Sequence, residues 1–166
     1  DGSVENKSTS VYYLLKDEVE YLKENGVDDK KEENGIPIKW ISYKQQFFST
    51  ALIATEGDGF ISSTMQTQTE KGEKDNYLRT MSSNISIPYD HEKNHYEYDM
   101  EFFFGPNKYA IISDYDLQME EIIPLGWGFF LLQWINRFVI IPVFDFLQSF
   151  GWSMGIIILI LTILVK

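Results

Sequence analysis

The composition of this chain changes abruptly near Ile122. From Ile122 to the end there is one acidic residue, Asp145, and there are two basic ones, Arg137 and Lys166. The stretch 150–165 has no charged residue at all. A membrane-spanning helix needs about 20 predominantly apolar residues, so this run is slightly short of one. The sequence predicts a water-exposed part, then a membrane-associated part whose last helix is cut at the chain end. The alternative is a buried core helix.

Charge and cysteine content exclude several classes of function. The chain has 166 residues, a net charge of −11 and no cysteine. An acidic globular part argues against nucleic-acid binding, which needs a basic face. Without cysteine there is no disulfide, thiolate catalyst or cysteine-ligated zinc. Because no secretory signal opens the sequence, we expect Asp1 not to be the native start and the chain to be a fragment cut at both ends.

Residues 1–105 are predicted to be mainly β. The run from Val11 fits either a helix or a strand, and residues 26–35 resemble a charged loop between glycines. The stretch 38–57 is aromatic and β-branched, which is typical of strands. The clearest strand is 95–106, where alternation of period two predicts one buried and one solvated face. The residues predicted to be buried there are Tyr96, Tyr98, Met100, Phe102 and Phe104. Pro106 is expected to be the first residue of a following helix.

The motif HEKNH, residues 91–95, matches the H-E-x-x-H pattern of zinc metalloproteases. That pattern works on a helix, where residues four apart lie on one face and both imidazoles reach one metal ion. Here His95 opens a predicted strand, in which the same spacing separates two residues by about 13 Å. The chain has no third histidine. We therefore interpret His91, Glu92 and His95 as incidental, and predict no metal and no cofactor.

Residues 124–150 are predicted to form an amphipathic helix with a wide apolar face. The apolar residues at helical spacing are Trp127, Phe130, Leu131, Trp134 and Phe138. Opposite them lies a narrow polar stripe that includes Arg137, and Pro142 is expected to interrupt the helix. Helices of this kind lie in the plane of a bilayer surface, with tryptophan at headgroup depth. The alternative is a helix packed on its own domain.

Four stretches, in this order, resemble the YidC-type membrane protein insertases, in the form found in Bacteroidetes-like bacteria. They are KWISYKQQFFSTALIA, FFFGPNKYAII, LGWGFFLLQWINRFVIIPVF and GWSMGIIILILTILVK. The resemblance covers residues 39–166, about three quarters of the chain. Residues 1–37 fit less distinctively.

The resemblance implies a fold and an organisation. It implies part of a periplasmic β-supersandwich, followed by helices, a membrane-surface helix and the start of a transmembrane helix. The implied boundaries are 1–105 for the β domain, 106–123 for a helical linker, 124–150 for the surface helix and 151–166 for the truncated transmembrane helix. Residues 1–150 would lie on the periplasmic side of a bacterial inner membrane.

The resemblance also implies a function. The family inserts and folds integral membrane proteins, alone or with the Sec translocon, and does so without enzymatic catalysis. The implied partners are membrane lipids, nascent membrane proteins and Sec components. Lys166 stands where the family has a basic residue, usually arginine, that faces a hydrophilic groove. Because a charge inside a bilayer is costly, it implies a polar cavity; the alternative is a lysine that snorkels to the membrane surface.

Another class of function remains open beside the insertase. A periplasmic β-sandwich with a C-terminal membrane anchor could serve as a binding module for a carbohydrate or a protein. Trp40, Phe47 and Phe48 could then mark a sugar site, although aromatic residues at strand spacing are more often core residues. Such an anchor would be followed by a short basic tail, whereas an insertase needs further spanning helices after Lys166.

Overall fold

The structure, a computed structural model, describes residues 2–69, 79–89, 92, 95, 97–123 and 134–165. The chain divides into two compact units, residues 1–122 and 123–166. The strands are β1 (Ser10–Leu15), β2 (Glu18–Tyr21), β3 (Asp29–Lys44), β4 (Phe48–Ala54), β5 (Phe60–Thr69), β6 (Arg79–Ser86) and β7 (Met100–Pro106). The α-helices are α1 (Gly2–Ser8), α2 (Tyr109–Ile112), α3 (Ile141–Ser149) and α4 (Met154–Val165).

The first unit is built around one antiparallel sheet. Five strands follow the order β2-β1-β3-β4-β7; off this path β5 pairs with β3, and β6 pairs with β5. β3 is long enough to serve two sets of neighbours: its first half pairs with β5, and its second half pairs with β1 and β4. Gly59 lets β5 begin close to β3, since its φ is +121° and a Cβ there would lie 2.4 Å from the carbonyl oxygen of Ile38.

Each face of the sheet carries buried residues. One face holds the main apolar cluster, which β5 and β6 help to enclose. Its buried members are Val11, Tyr13, Leu22, Ile38, Ile41, Ala54, Phe60 and Met65. We call this group the main cluster.

The segment that follows β7 packs against the opposite face. It contains α2 and two 3-10 turns, Ser113–Tyr115 and Met119–Ile122. The Trp40 indole N–H donates to the carbonyl oxygen of Leu117 at 2.8 Å. Phe103 of β7 meets the Tyr115 ring edge-on, with 5.5 Å between the ring centroids. Trp40 is completely buried as a result, so this tryptophan is a core residue rather than a sugar-binding one.

The expectation of a mainly β fold is confirmed, with local differences. The run from Val11 forms two strands, because β1 buries successive residues between two covered faces instead of one helical stripe. The expected loop at 26–35 is wrong from Asp29 onward, since these charged residues form the first half of β3. Pro106 ends β7 and does not begin a helix; α2 starts at Tyr109.

The predicted burial of the clearest strand is also wrong. β7 begins at Met100, and Met100, Phe102 and Phe104 are exposed while Phe103 is buried. The period of two is present, but the face that packs on α2 and the 3-10 turns is the one that carries Phe103. Tyr96 lies outside the described residues. Tyr98 is half-buried against the main cluster.

The second unit consists of helices. Residues 134–149 form a helical segment that contains a π-helical turn, Asn136–Ile140, directly before α3. α4 follows after a short connection and packs against α3. No helix within the described ranges is both long enough and apolar enough to cross a membrane.

Candidate membrane-surface site

The helical segment 134–149 presents a row of exposed aromatic side chains. Trp134, Phe138, Phe146 and Phe150 are each more than half exposed. They pair at a spacing of four residues, with ring centroids 5.5 Å apart for Trp134 and Phe138 and 4.9 Å apart for Phe146 and Phe150. Trp152 extends the row, at 5.7 Å from the Phe150 ring. We call these five residues the aromatic stripe.

The π-helical turn explains how the segment accommodates Pro142. Proline has no N–H to donate and its ring clashes with the preceding turn. The backbone N–H of Ile141 reaches back five residues to the carbonyl oxygen of Asn136, which widens the turn just before the proline. Pro142 then lies in the first turn of α3, directly after the widened turn. The expected interruption at Pro142 takes the form of a widened turn.

The widened turn also determines which residues share a face. In an uninterrupted α-helix Phe146 and Phe150 would lie about 120° and 160° around the axis from Trp134, at about 100° per residue. A π turn holds one additional residue. Every residue after it is therefore shifted back by about 100° around the helix axis, relative to its position in an uninterrupted α-helix. Phe146 and Phe150 then lie about 20° and 60° from Trp134, close to Phe138 at about 40°. One additional residue thus aligns the two halves of the aromatic stripe.

The end of α3 is closed by a glycine. The N–H of Gly151 donates to the carbonyl oxygen of Gln148 at 3.0 Å. Its φ of +70° lies in the left-handed region, which glycine adopts at helix ends without the cost that a side chain imposes. The chain turns there and, three residues later, enters α4. The exposed large apolar residues of α4 are Met154, Ile156, Ile158, Leu159 and Ile163.

The structure describes two of the four residues predicted for the surface helix. Trp134 belongs to the aromatic stripe. Arg137 is exposed and lies within the π-helical turn. Trp127 and Phe130 lie outside the described residues, and so does Lys166. The predicted membrane roles of all five residues remain predictions.

The residues of the HEKNH motif are only partly described. His91 lies outside the described residues, and Glu92 is exposed in a turn. His95 has no regular secondary structure, and its Nε2 lies 2.8 Å from Oε1 of Glu97 with both side chains in solvent. Within the described part of the chain, no group of three histidine or acidic residues is placed to hold a metal ion.

A buried polar cluster in the first unit was not predicted. Lys44 is buried, and its Nζ donates to Glu24 Oε1 at 2.9 Å and to the Tyr12 hydroxyl at 3.2 Å. The Tyr12 hydroxyl donates to the same carboxylate at 2.7 Å. Burial and this hydrogen bond to Glu24 raise the pKa of Tyr12 well above its usual range. The signal in the sequence was Lys44 itself, which lies on the same side of β3 as the core residue Trp40.

Comparison with known proteins gives one family and several relatives. The family model for the YidC periplasmic domain matches residues 5–138. A membrane protein insertase YidC from Parabacteroides distasonis is 37% identical over 163 residues, covering 93% of this chain and 24% of that protein. The insertase YidC of Phocaeicola vulgatus is 32% identical over 99% of this chain and 27% of its own length. That of Bacteroides fragilis is 35% identical over 93% of this chain and 25% of its own length. The chain thus spans about a quarter of the length of these relatives.

Proposed function

This chain belongs to the YidC family through its periplasmic domain, and we propose that it is part of a membrane protein insertase. The observation that carries the proposal is the similarity, over nearly the whole chain, to proteins named membrane protein insertase YidC. Because those relatives are about four times as long, the proposed activity belongs to a longer protein. In that protein the residues described above would form the periplasmic side.

We assign the helical segment 134–149 to the outer surface of a bacterial inner membrane. Each large aromatic side chain moved from water into the interface gains up to about 1.5–3 kcal/mol, depending on how completely it is buried. The aromatic stripe supplies five such side chains along one face. Tryptophan suits headgroup depth because its ring is apolar and its N–H is polar. Residues 1–150 would then be periplasmic, with membrane lipids as the first partner.

The continuation into the membrane is proposed from α4 and Lys166. The apolar helix α4 would be the start of a transmembrane helix. A charge inside a bilayer costs about 2.5–3.5 kcal/mol by insertion scales, so it persists where water or a partner meets it. We infer that Lys166 faces a hydrated groove. Lysine supplies a point charge and lacks the planar fork of arginine, so its attraction for acidic groups does not depend on a bidentate geometry.

The proposed mechanism needs no bond to be made or broken. A hydrated groove shortens the apolar barrier that the polar end of a nascent membrane protein must cross. The positive charge of Lys166 attracts an acidic end into the groove. The apolar helix of the substrate then leaves sideways into lipid, driven by the burial of its apolar surface. Sec translocon components are proposed partners in delivering longer substrates.

The test uses the full-length protein in liposomes. A short single-span substrate with an acidic leading end is added, and protease protection measures the inserted fraction. We expect insertion above empty liposomes, and a several-fold loss with Lys166→Leu. Lys166→Arg is the matched control, since it preserves the charge and should preserve insertion.

Each outcome separates the parts of the proposal. If Lys166→Leu leaves insertion unchanged, the insertase proposal stands. Lys166 would then be a residue that snorkels to the membrane surface and not a groove residue. The absence of insertion by a correctly folded protein would contradict the insertase. It would favour a periplasmic β-sandwich binding module with a membrane anchor.

A further inference from the structure

The two charged side chains of the helical segment 134–149 lie on one side of the aromatic stripe. Arg137 and Asp145 are the only charged residues within the described range 134–165. At about 100° per residue, Arg137 lies about 60° to one side of Trp134 around the helix axis. Asp145 follows the π-helical turn and lies about 80° to the same side. We call Arg137 and Asp145 the charged flank.

The charged flank depends on the π-helical turn. In an uninterrupted α-helix Asp145 would lie about 20° from Trp134, in the middle of the aromatic stripe. A carboxylate in that position would enter an apolar layer together with the rings, which is costly for a charged group without a partner. The additional residue of the π turn moves Asp145 away from the rings and onto the side of Arg137. The same turn therefore aligns the aromatic side chains and brings the two charges to one flank.

The charged flank lies away from the buried side of its own helix. Leu147, the buried residue of α3, lies about 120° from Trp134 in the opposite direction around the axis. Arg137 is exposed and Asp145 is half-buried. The two residues are about 12 Å apart along the axis, and in the part of the chain that the structure describes no ion pair joins them. Both charges can therefore meet groups outside the chain.

Lipid headgroups that carry both charges complement this flank. The guanidinium of Arg137 matches a phosphate, to which it can donate two parallel N–H groups. The carboxylate of Asp145 matches an ammonium group, whose N–H groups it can accept in charge-assisted hydrogen bonds. Phosphatidylethanolamine supplies both groups in one headgroup. Phosphatidylglycerol supplies the phosphate alone, and Asp145 repels its negative charge.

We propose that the charged flank binds aminophospholipid headgroups, with a phosphate at Arg137 and the ammonium group of an adjacent headgroup at Asp145. This inference rests on the membrane-surface position proposed for the segment 134–149, and it adds the class of lipid. Surface helices that select anionic lipids carry many lysine and arginine residues on the polar face. The segment 134–149 has one basic and one acidic residue, so its net charge is zero. Its electrostatic selectivity therefore comes from the position of the two charges.

The test places the photoreactive residue p-benzoylphenylalanine at Ser149 of the full-length protein, in liposomes of phosphatidylethanolamine and phosphatidylglycerol in equal amounts. Ser149 is exposed and lies about 40° from Trp134 on the side of the charged flank. After irradiation, mass spectrometry identifies the attached lipids. We expect phosphatidylethanolamine adducts to exceed phosphatidylglycerol adducts by about two- to fivefold, the range of an exposed ion pair. The matched control places the same probe at Phe150 in the aromatic stripe, where the two lipids should react equally.

Variants of the charged flank test the role of each residue in the protein that carries the Ser149 probe. Asp145→Asn keeps the shape of the side chain and removes its charge, so the ratio of the two adducts should fall to that of the Phe150 control. Arg137→Gln should lower the yield of both adducts, because both lipids carry a phosphate. Phosphatidylcholine in place of phosphatidylethanolamine should remove the preference, since its ammonium group has no N–H to donate.

The other outcomes overturn the inference in distinguishable ways. Equal adducts at Ser149, or an excess of phosphatidylglycerol, would leave the segment at the membrane and contradict the proposed lipid class. A preference that Asp145→Asn leaves unchanged would contradict its assignment to the charged flank. Adducts with protein alone, or none with the probe intact, would contradict the membrane-surface position itself. Insertion of a substrate is assayed in the same liposomes, so a failure of the insertase proposal is recorded separately.

Discussion

Two aromatic residues of the first unit, Trp40 and Phe103, contrast with the aromatic stripe of the second unit. In the first unit Trp40 and Phe103 are buried, and each contacts the segment that follows β7. In the second unit Trp134 and Phe146 contact aromatic neighbours along their own helix but remain more than half exposed. The first arrangement stabilises a fold in water. The second would gain free energy only when an apolar medium covers it, as in the membrane contact proposed above.

The largest effect that separates the units should come from Trp40→Ala. Removing this ring leaves a cavity and an unpaired carbonyl oxygen at Leu117, so we expect the free energy of unfolding to fall by about 3–5 kcal/mol. Urea unfolding followed by near-ultraviolet circular dichroism measures it. Phe138→Ala is the matched control and should change the free energy of unfolding by about 0.5 kcal/mol or less. Similar losses of unfolding free energy in both variants would contradict the contrast between the buried Trp40 and the exposed Phe138.

Alkaline pH should also act on the first unit. Burial, and then hydrogen bonds to Glu24 and Glu33, raise the pKa values of Tyr12 and Tyr13. A raised folded-state pKa contributes stability that is complete below the unfolded value near 10 and is lost as pH rises above it. Above a pH of about 10, each of these two tyrosines should lower the free energy of unfolding by about 1.4 kcal/mol per pH unit.

Absorbance at 295 nm and circular dichroism, recorded together between pH 9 and 12, check this expectation. Tyr12 and Tyr13 should ionise only as the sheet unfolds. Tyr13→Phe should reduce the slope of the free energy of unfolding against pH by the contribution of one tyrosine. Ionisation of all ten tyrosines near pH 10 with the fold intact would contradict it.

A smaller loss is expected from Lys44→Met. The variant leaves Glu24 and the Tyr12 hydroxyl without their cationic partner in a largely buried site, which should cost about 1–3 kcal/mol. Lys30→Met is the matched control, because Lys30 and Glu32 pair in solvent and such pairs contribute about 0–1 kcal/mol. Equal unfolding midpoints in urea for the two variants would show that burial does not strengthen the Lys44 pair.

The smallest effect concerns the second unit. In a peptide of residues 134–151, Pro142→Ala allows an unbroken α-helix, which would rotate Phe146 and Phe150 by about 100° away from Trp134. We expect binding to lipid vesicles to weaken by about fivefold, which corresponds to roughly 1 kcal/mol. Tryptophan fluorescence titration measures it. Pro142→Ala combined with deletion of Val139 removes the additional residue and should restore binding; weak binding by this double variant would argue against alignment as the cause.

Much of the architecture could be predicted from sequence because it depends on local pattern. Alternation and β-branched residues predicted a mainly β first unit. The face of β7 could not be predicted, because Phe102, Phe103 and Phe104 are chemically equivalent. Only the position of Tyr115 and the 3-10 turns decides which of them is buried. The choice of the buried face of β7 therefore depends on tertiary packing, which a local sequence pattern does not contain.

The candidate site shows the same division. Trp134 and Arg137 were predicted from helical spacing, and Pro142 was expected to disturb the helix. The π-helical turn was not predicted, because a proline can be accommodated by a kink, a break or an additional residue. Phe146 aligns with Trp134 only when the proline is accommodated by an additional residue. The membrane roles of Trp127, Phe130, Trp134, Arg137 and Lys166 all remain predictions.

The hydrogen bond from Trp40 to Leu117 also bears on the order of folding. It joins residues 77 positions apart, whereas β1 and β2, or β3 and β4, pair across short turns. Local hairpins form early, while contacts of long sequence separation must first overcome the entropy of loop closure. As the chain emerges residue by residue, the Trp40 face of the sheet stays open until residue 117 arrives. During that interval the exposed indole is a target for chaperones that hold back aggregation.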